Sequence, residues 1–205
     1  MLLPLLPLAA ALLFPLVFRY QNEAFVPEES LSNSPAVQLT WRWARNFVVP
    51  QNLCPWAAAS VGTPGAVSIY YCNDDDESSF EELVLAVARH WKCNDPSTSI
   101  ALCVTTTASW EFVDFCDWFY EFEEEERDLE VALAPFHPYW EYQGDAKTSV
   151  EKQTPFPTVS LVSQQAIDQA GEGVTDKIAQ HNYEHLQTQS LQHWKDVYRH
   201  ALLQD

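Results

Sequence analysis

Two stretches decide the fold: residues 66–72, AVSIYYC, and residues 99–105, SIALCVT. Each is a nearly continuous apolar run of strand length, rich in β-branched and aromatic side chains. A strand with one wet face alternates; a run without alternation belongs to a sheet covered on both faces. Between the two lies a different period. Phe80, Leu83, Val84, Val87 and Trp91 recur at helical spacing. Ser78 and Ser79 precede Glu81 and Glu82 by three residues each, the spacing of a capping box. The acidic turn Asp74-Asp75-Asp76-Glu77 reads as a solvated helix start, because acids favour helix N-termini. Asn94-Asp95-Pro96 marks the turn back into the second strand. Strand, helix, strand in this order predicts a parallel pair with a right-handed crossover.

The same alternation continues outward. Upstream, Ser34-Pro35 supplies a hydroxyl N-cap and a proline at the first helical position, opening a helix that Pro50 stops near Val49. A loop over Gln51–Gly65 follows. Downstream, Ser109 caps a third helix whose stripe is Phe112, Phe115, Cys116, Phe119 and Phe122. Its acidic end, Glu121–Glu126, opposes the helix dipole and reads as a solvated, fraying turn. A calcium loop needs alternating ligands and a glycine, and the run has neither. Leu129–Ala134 is a third strand, Phe136–Pro157 a long loop, and Thr158–Val162 a fourth strand. A short helix starts at Gln164. Ala179, Tyr183, Leu186, Ser190, Trp194, Val197 and Ala201 then mark one long helix over 176–203. The expectation is a single α/β domain over 34–205. Its sheet is mostly parallel or mixed, with about four strands, helices packed on its faces and a long C-terminal helix.

Residues 1–24 form an apolar leader and 25–33 a polar linker. The first eighteen residues carry no charge, a length that serves either a signal peptide or a membrane anchor. Pro4, Pro7 and Pro15 interrupt an ideal spanning helix. Ala24-Phe25-Val26-Pro27 resembles the Ala-Phe-x-Pro junction of proteins bound for secondary plastids, whereas Glu28 and Glu29 oppose an acid-poor transit peptide. The expected route is therefore secretory or plastid-directed, with membrane contact only through a retained leader.

The formal charge is −18, from 11 basic and 29 acidic residues. Nucleic-acid binding is excluded, because a phosphate backbone must be neutralised by Lys and Arg. Anionic lipid is disfavoured for the same reason. A protein partner or a small-molecule ligand stays compatible with this surface. The five cysteines are odd in number and lack metal spacing. Cys72, Cys103 and Cys116 lie in strand-like or helix-like runs and read as small buried hydrophobes, which favours a reducing compartment or buried thiols.

His181-Asn182-Tyr183-Glu184-His185 matches H-x-x-E-H, whose two histidines can share one zinc. At 100° per residue both lie opposite the apolar stripe, and only Asp196 and Asp205 follow as third-ligand candidates. They are read as surface histidines. No metal and no cofactor is predicted.

Two segments carry a family resemblance. Trp43-Ala-Arg-Asn-Phe-Val-Val-Pro-Gln-Asn-Leu-Cys-Pro-Trp-Ala57 resembles a pattern that ends N-L-C-P, then F or W, then A. Phe136-His137-Pro138-Tyr-Trp-Glu-Tyr142 and Thr154-Pro155-Phe156-Pro157-Thr158-Val159 resemble F-H-P-x-Y-x-F followed by S-P-Y-P-T. With the matching helix–strand order, the likeness to the uncharacterised, mainly bacterial domain-of-unknown-function family fourteen-fifteen spans about residues 37–195. Gln153, Ser160 and Ser163 or Gln164 stand where that pattern has Arg, His and Arg.

The family has no assigned chemistry, so the resemblance implies a place to look. Cys54 and His137 are its reactive side chains. Asn52, Trp56, Tyr142, Thr154, Pro155, Phe156 and Pro157 are the candidate ligand-binding residues. One expectation is a non-enzymatic accessory or ligand-binding domain, with Cys54 filling a loop corner and His137 bonded to a nearby carbonyl. The alternative is a small-molecule enzyme of acyl- or thiol-transfer type. Cys54 would attack, His137 would act as base and Asn52 as oxyanion donor. A thiol within about 4 Å of an imidazole nitrogen favours the second reading.

Overall fold

The computed structural model describes residues 15–22, 24–28, 34–63, 66–72, 77–94, 100–106, 110–142 and 144–204. Its described strands are β1 (Leu16–Gln21), β2 (Ala24–Pro27), β3 (Val67–Cys72), β4 (Ile100–Thr105), β5 (Val131–Phe136) and β6 (Thr158–Ser163), in one sheet ordered β2-β1-β3-β4-β6-β5. β1, β3 and β4 run parallel; β2, β6 and β5 join antiparallel. The sheet is therefore mixed, with six strands rather than four.

Every residue of β3 and β4 is buried, as their lack of alternation requires. Their side chains feed two cores. Val67, Ile69, Tyr71, Ile100, Leu102 and Val104 face one side. Tyr70, Cys72, Ala101 and Cys103 face the other. The second face is covered by α3 (Glu77–Asn94) and α4 (Phe112–Glu125), through Phe80, Leu83, Val84, Phe115, Phe119 and Phe122. The first face is covered by α1 (Pro35–Trp43), α2 (Pro55–Val61), α7 (Val174–Gln187) and α8 (Leu191–Leu203). Short helices α5 (Ala146–Ser149), continued as a 3₁₀ turn over Val150–Lys152, and α6 (Gln164–Ala170) flank β6.

Local signals explain most boundaries. The Ser34 hydroxyl accepts from the Val37 N–H, and Pro35 begins α1. The helix then widens into a π turn over Ala44–Val48, where the Val49 N–H reaches the Ala44 carbonyl. Pro135 sits in β5, an edge strand of the sheet, where its missing N–H is tolerated. The acidic end of α4 closes at Glu126, beside an ion pair between Arg127 and Glu124.

Several expectations change: the loop read over 51–65 contains α2, and the one read over 136–157 contains α5 and the 3₁₀ turn. β1 and β2 occupy sequence read as the end of the leader and as linker. Phe18 and Phe25 pack on Tyr70, with ring centroids 5.0 and 5.1 Å away, so the hairpin extends the second core. The third strand is shifted two residues, to Val131–Phe136. The long C-terminal helix is two helices. Ser190 does not lie on a continuous stripe but caps α8, its hydroxyl accepting from the His193 N–H at 3.1 Å. The buried residues of α7 are Asn182 and Leu186, with Ile178 half-buried, while Tyr183 is 48 % exposed. The break lets α7 rotate independently of α8, which moves the buried line off the predicted one. Ser109, Asp74–Asp76 and Asp95-Pro96 lie outside the described residues; Glu111 is the N-cap of α4. Among the described residues no helix is long and apolar enough to cross a membrane.

Candidate functional site

A cavity of about 310 Å³ lies between the first sheet face, α1, α2 and α7. Most of its wall is apolar, including Trp43, Leu53, Trp56, Phe136, Val162 and Ile178. Glu151, Lys152 and Asn182 supply most of its polar chemistry, with Cys54, Tyr142 and Ser160. An apolar enclosure with a few converging polar groups is the usual form of a small-molecule site.

The polar wall is built by the loop between β5 and β6. Its start is tied to its end: the His137 N–H donates to the Lys152 carbonyl at 3.1 Å. Asp145 caps α5, accepting from the Lys147 and Thr148 N–H groups at 3.1 Å each. Gln187 of α7 donates to the Asp145 carboxylate at 3.2 Å, fastening the loop to the helix across the cavity. The Tyr142 N–H donates to the Ser149 hydroxyl at 2.7 Å, and Gln153 donates to the Trp140 carbonyl at 3.1 Å. A loop of this length is thereby held by its own turns.

Lys152 is half-buried, its ammonium 4.7 Å from the Phe136 ring centroid and 5.7 Å from that of Trp140. Burial lowers its pKa, although Glu151, Cys54 and Glu123 pull it back up. Burial likewise raises the Glu151 carboxyl, against the nearby Asn182 amide and Lys152. The Tyr142 phenol is pushed up to about 12, first by burial and then by Glu151. Asn182 donates to the Leu53 carbonyl at 3.0 Å, while its Oδ1 is buried without a partner. The Trp43 Nε1 is also buried and unpartnered. Both residues line the cavity.

Cys54 lines the same cavity from the N-cap of α2. Burial raises its thiol pKa, offset in part by the backbone of Ala57 and Trp56 and by Lys152. The thiol is held protonated rather than activated. Cys54, Cys72, Cys103 and Cys116 are free thiols.

His137 is 1 % exposed and points to the other side of the sheet. Its ring packs on Phe112 and Phe115 of α4, at 5.7 and 5.4 Å. The neighbouring Phe136 faces the cavity, so strand alternation sends His137 away from it. Both ring nitrogens are engaged. Nδ1 accepts from the Tyr139 N–H at 3.2 Å, which leaves the proton on Nε2 to donate to the Trp110 carbonyl at 2.9 Å. Burial lowers the ring's pKa, favouring this neutral form.

Of the sequence-predicted residues, the structure gathers Cys54, Trp56 and Tyr142 at the cavity. Asn52 turns away in the left-handed region (φ 53°) and sits 3.4 Å from His181. Thr154, Pro155, Phe156 and Pro157 form the turn into β6. Its geometry is set by the Thr154 and Thr158 hydroxyls, both donating to the Phe156 carbonyl. Of the two histidines of the H-x-x-E-H match, His181 is exposed as expected and His185 is not. Their rings stack 6.1 Å apart, and His185 is half-buried against Trp194 at 5.1 Å. Among the described residues no three His, Cys, Asp or Glu side chains converge as a metal set.

Sequence reasoning passed over Glu151, Lys152 and Asn182. The one available signal was positional: Lys152 directly precedes the departure at Gln153, and Ser160, another departure, also lines the cavity.

The model of one protein family, described as protein of unknown function (DUF1415), matches residues 36–196. No curated protein and no solved structure matches the chain.

Proposed function

The chain belongs to the DUF1415 family of proteins of unknown function, and from that premise we propose that its domain binds a small, mainly apolar molecule with one polar end. The observation that carries this is the cavity in which Lys152, Glu151 and Asn182 share an otherwise apolar wall. Its volume, about 310 Å³, lies at the lower end of the range for small-molecule sites, roughly 300 to 1,000 Å³. The apolar body of the ligand would lie against Trp43, Trp56, Phe136 and Ile178. The polar end would meet Lys152 and Asn182. The net charge of −18 selects against polyanions by long-range repulsion.

The test is titration of the purified full chain with Nile red, a neutral apolar fluorophore, followed by competition with small amphipathic molecules. Saturable binding at one site is expected. Ala134→Phe, which projects a ring into the cavity from β5, is expected to abolish binding while leaving the circular dichroism spectrum and unfolding midpoint close to wild type. Absent saturation, or saturation that ignores a folded Ala134→Phe variant, overturns the proposal.

A further inference from the structure

We propose that Lys152 is an imine-forming amine, which condenses with the aldehyde or ketone carbonyl of an apolar molecule seated in the cavity. This rests on the ligand-binding reading above and names the chemistry of its polar end.

Position comes first. Lys152 closes the 3₁₀ turn over Val150–Lys152, and its carbonyl is held by the His137 N–H. Its side chain lines the cavity and stands over the Phe136 and Trp140 rings. Among the described residues its ammonium makes no ion pair and no hydrogen bond. The two rings and Glu151 favour the cation, while burial among apolar groups favours the neutral amine. The neutral amine is the nucleophile.

The neighbouring groups select the electrophile. Glu151 lines the same wall next to Lys152, and burial shifts its carboxyl toward the acid form. A ligand carboxylate would meet Glu151 as a like charge. A carbonyl carries no charge and gains from an adjacent acid.

The chemistry balances without a redox partner. The Lys152 nitrogen lone pair forms the new N–C bond as the carbonyl π pair moves onto oxygen. Glu151 gives its proton to that oxygen and takes one from nitrogen. In the second stage the hydroxyl is protonated and leaves as water, the nitrogen pair closes the C=N bond, and the remaining proton returns to Glu151. The net change is amine plus carbonyl to imine plus water.

The experiment treats the full chain with hexanal and cyanoborohydride at neutral pH, and maps the reductively alkylated lysines by peptide mass spectrometry. Cyanoborohydride fixes imines and leaves a thiol adduct at Cys54 unreduced. Lys152 is expected to label at least about tenfold faster than Lys147, Lys177 and Lys195, since the cavity holds an apolar aldehyde against its amine. Nile red is expected to slow that labelling. Lys152→Arg, which has no amine to condense, is expected to lose the fast site. Saturable Nile red binding with equal labelling of all lysines overturns the imine while sparing the cavity reading. Failure of Nile red to bind overturns both. Selectivity in the wild-type chain decides the matter even where the variant fails to fold.

Discussion

Both ring nitrogens of His137 are engaged with the backbone, and its N–H holds the Lys152 carbonyl, so its work is to position the loop rather than to act on Cys54. His137→Ala removes a buried ring and two hydrogen bonds, and is expected to cost on the order of 3 kcal/mol in urea unfolding. The alkylation rate of Cys54 in the folded variant is expected not to fall; a marked fall would restore His137 as its base. The sign of the pH effect follows from burial. His137 and His185 both have folded pKa values lowered from 6.5, first by desolvation. Below about that pH the unfolded chain takes up protons that the folded chain resists. Stability should therefore decline as pH falls from 7 to 5. The slope should shrink in His137→Gln, and an unchanged slope would place the effect elsewhere. Cys54 follows the same logic in the opposite ionic sense: its thiol is raised, so slow alkylation is its expected native behaviour.

Among the elements, the β1–β2 hairpin depends most on non-local support. It is tied to the sheet by Tyr71, fully buried in β3, whose hydroxyl donates to Glu28 at 2.8 Å and accepts from Arg19 at 3.0 Å. Arg19 and Glu28 also pair at 3.1 Å. Tyr71→Phe keeps the ring and deletes this junction. A loss of about 1 to 2 kcal/mol is expected, because the hydroxyl's hydrogen bonds to Glu28 and Arg19 are removed. Hydrogen exchange should rise in residues 16–27 and stay slow in β3 and β4. Uniform acceleration would show that the hairpin is no separate unit. The α7–α8 joint is local by contrast. The Ser190 cap and the bond from Trp194 Nε1 to the Leu186 carbonyl at 2.8 Å hold it.

For the whole molecule, 29 acids against 11 bases make self-repulsion the dominant long-range term. Raising NaCl from about 0.05 to 0.5 M shortens the screening length severalfold and should raise the unfolding temperature by a few degrees. A flat response would mean that the surface acids are already balanced locally. Sequence by itself determined the two-faced sheet around 66–72 and 99–105, the helices between its strands and the Ser34-Pro35 start of α1, because strand and helix periods and caps are local properties of the chain. It also singled out Cys54, Trp56 and Tyr142, which meet at the cavity. Only the tertiary structure decided that 16–27 joins the sheet, since those residues become strands by packing Phe18 and Phe25 on Tyr70. Only it decided that α7 turns Asn182 inward, and that Lys152 faces the cavity while His137 faces away. A lone lysine in a loop carries no period. Its chemistry comes from desolvation by residues distant in the chain, and that exists only once the sheet and helices have closed around it.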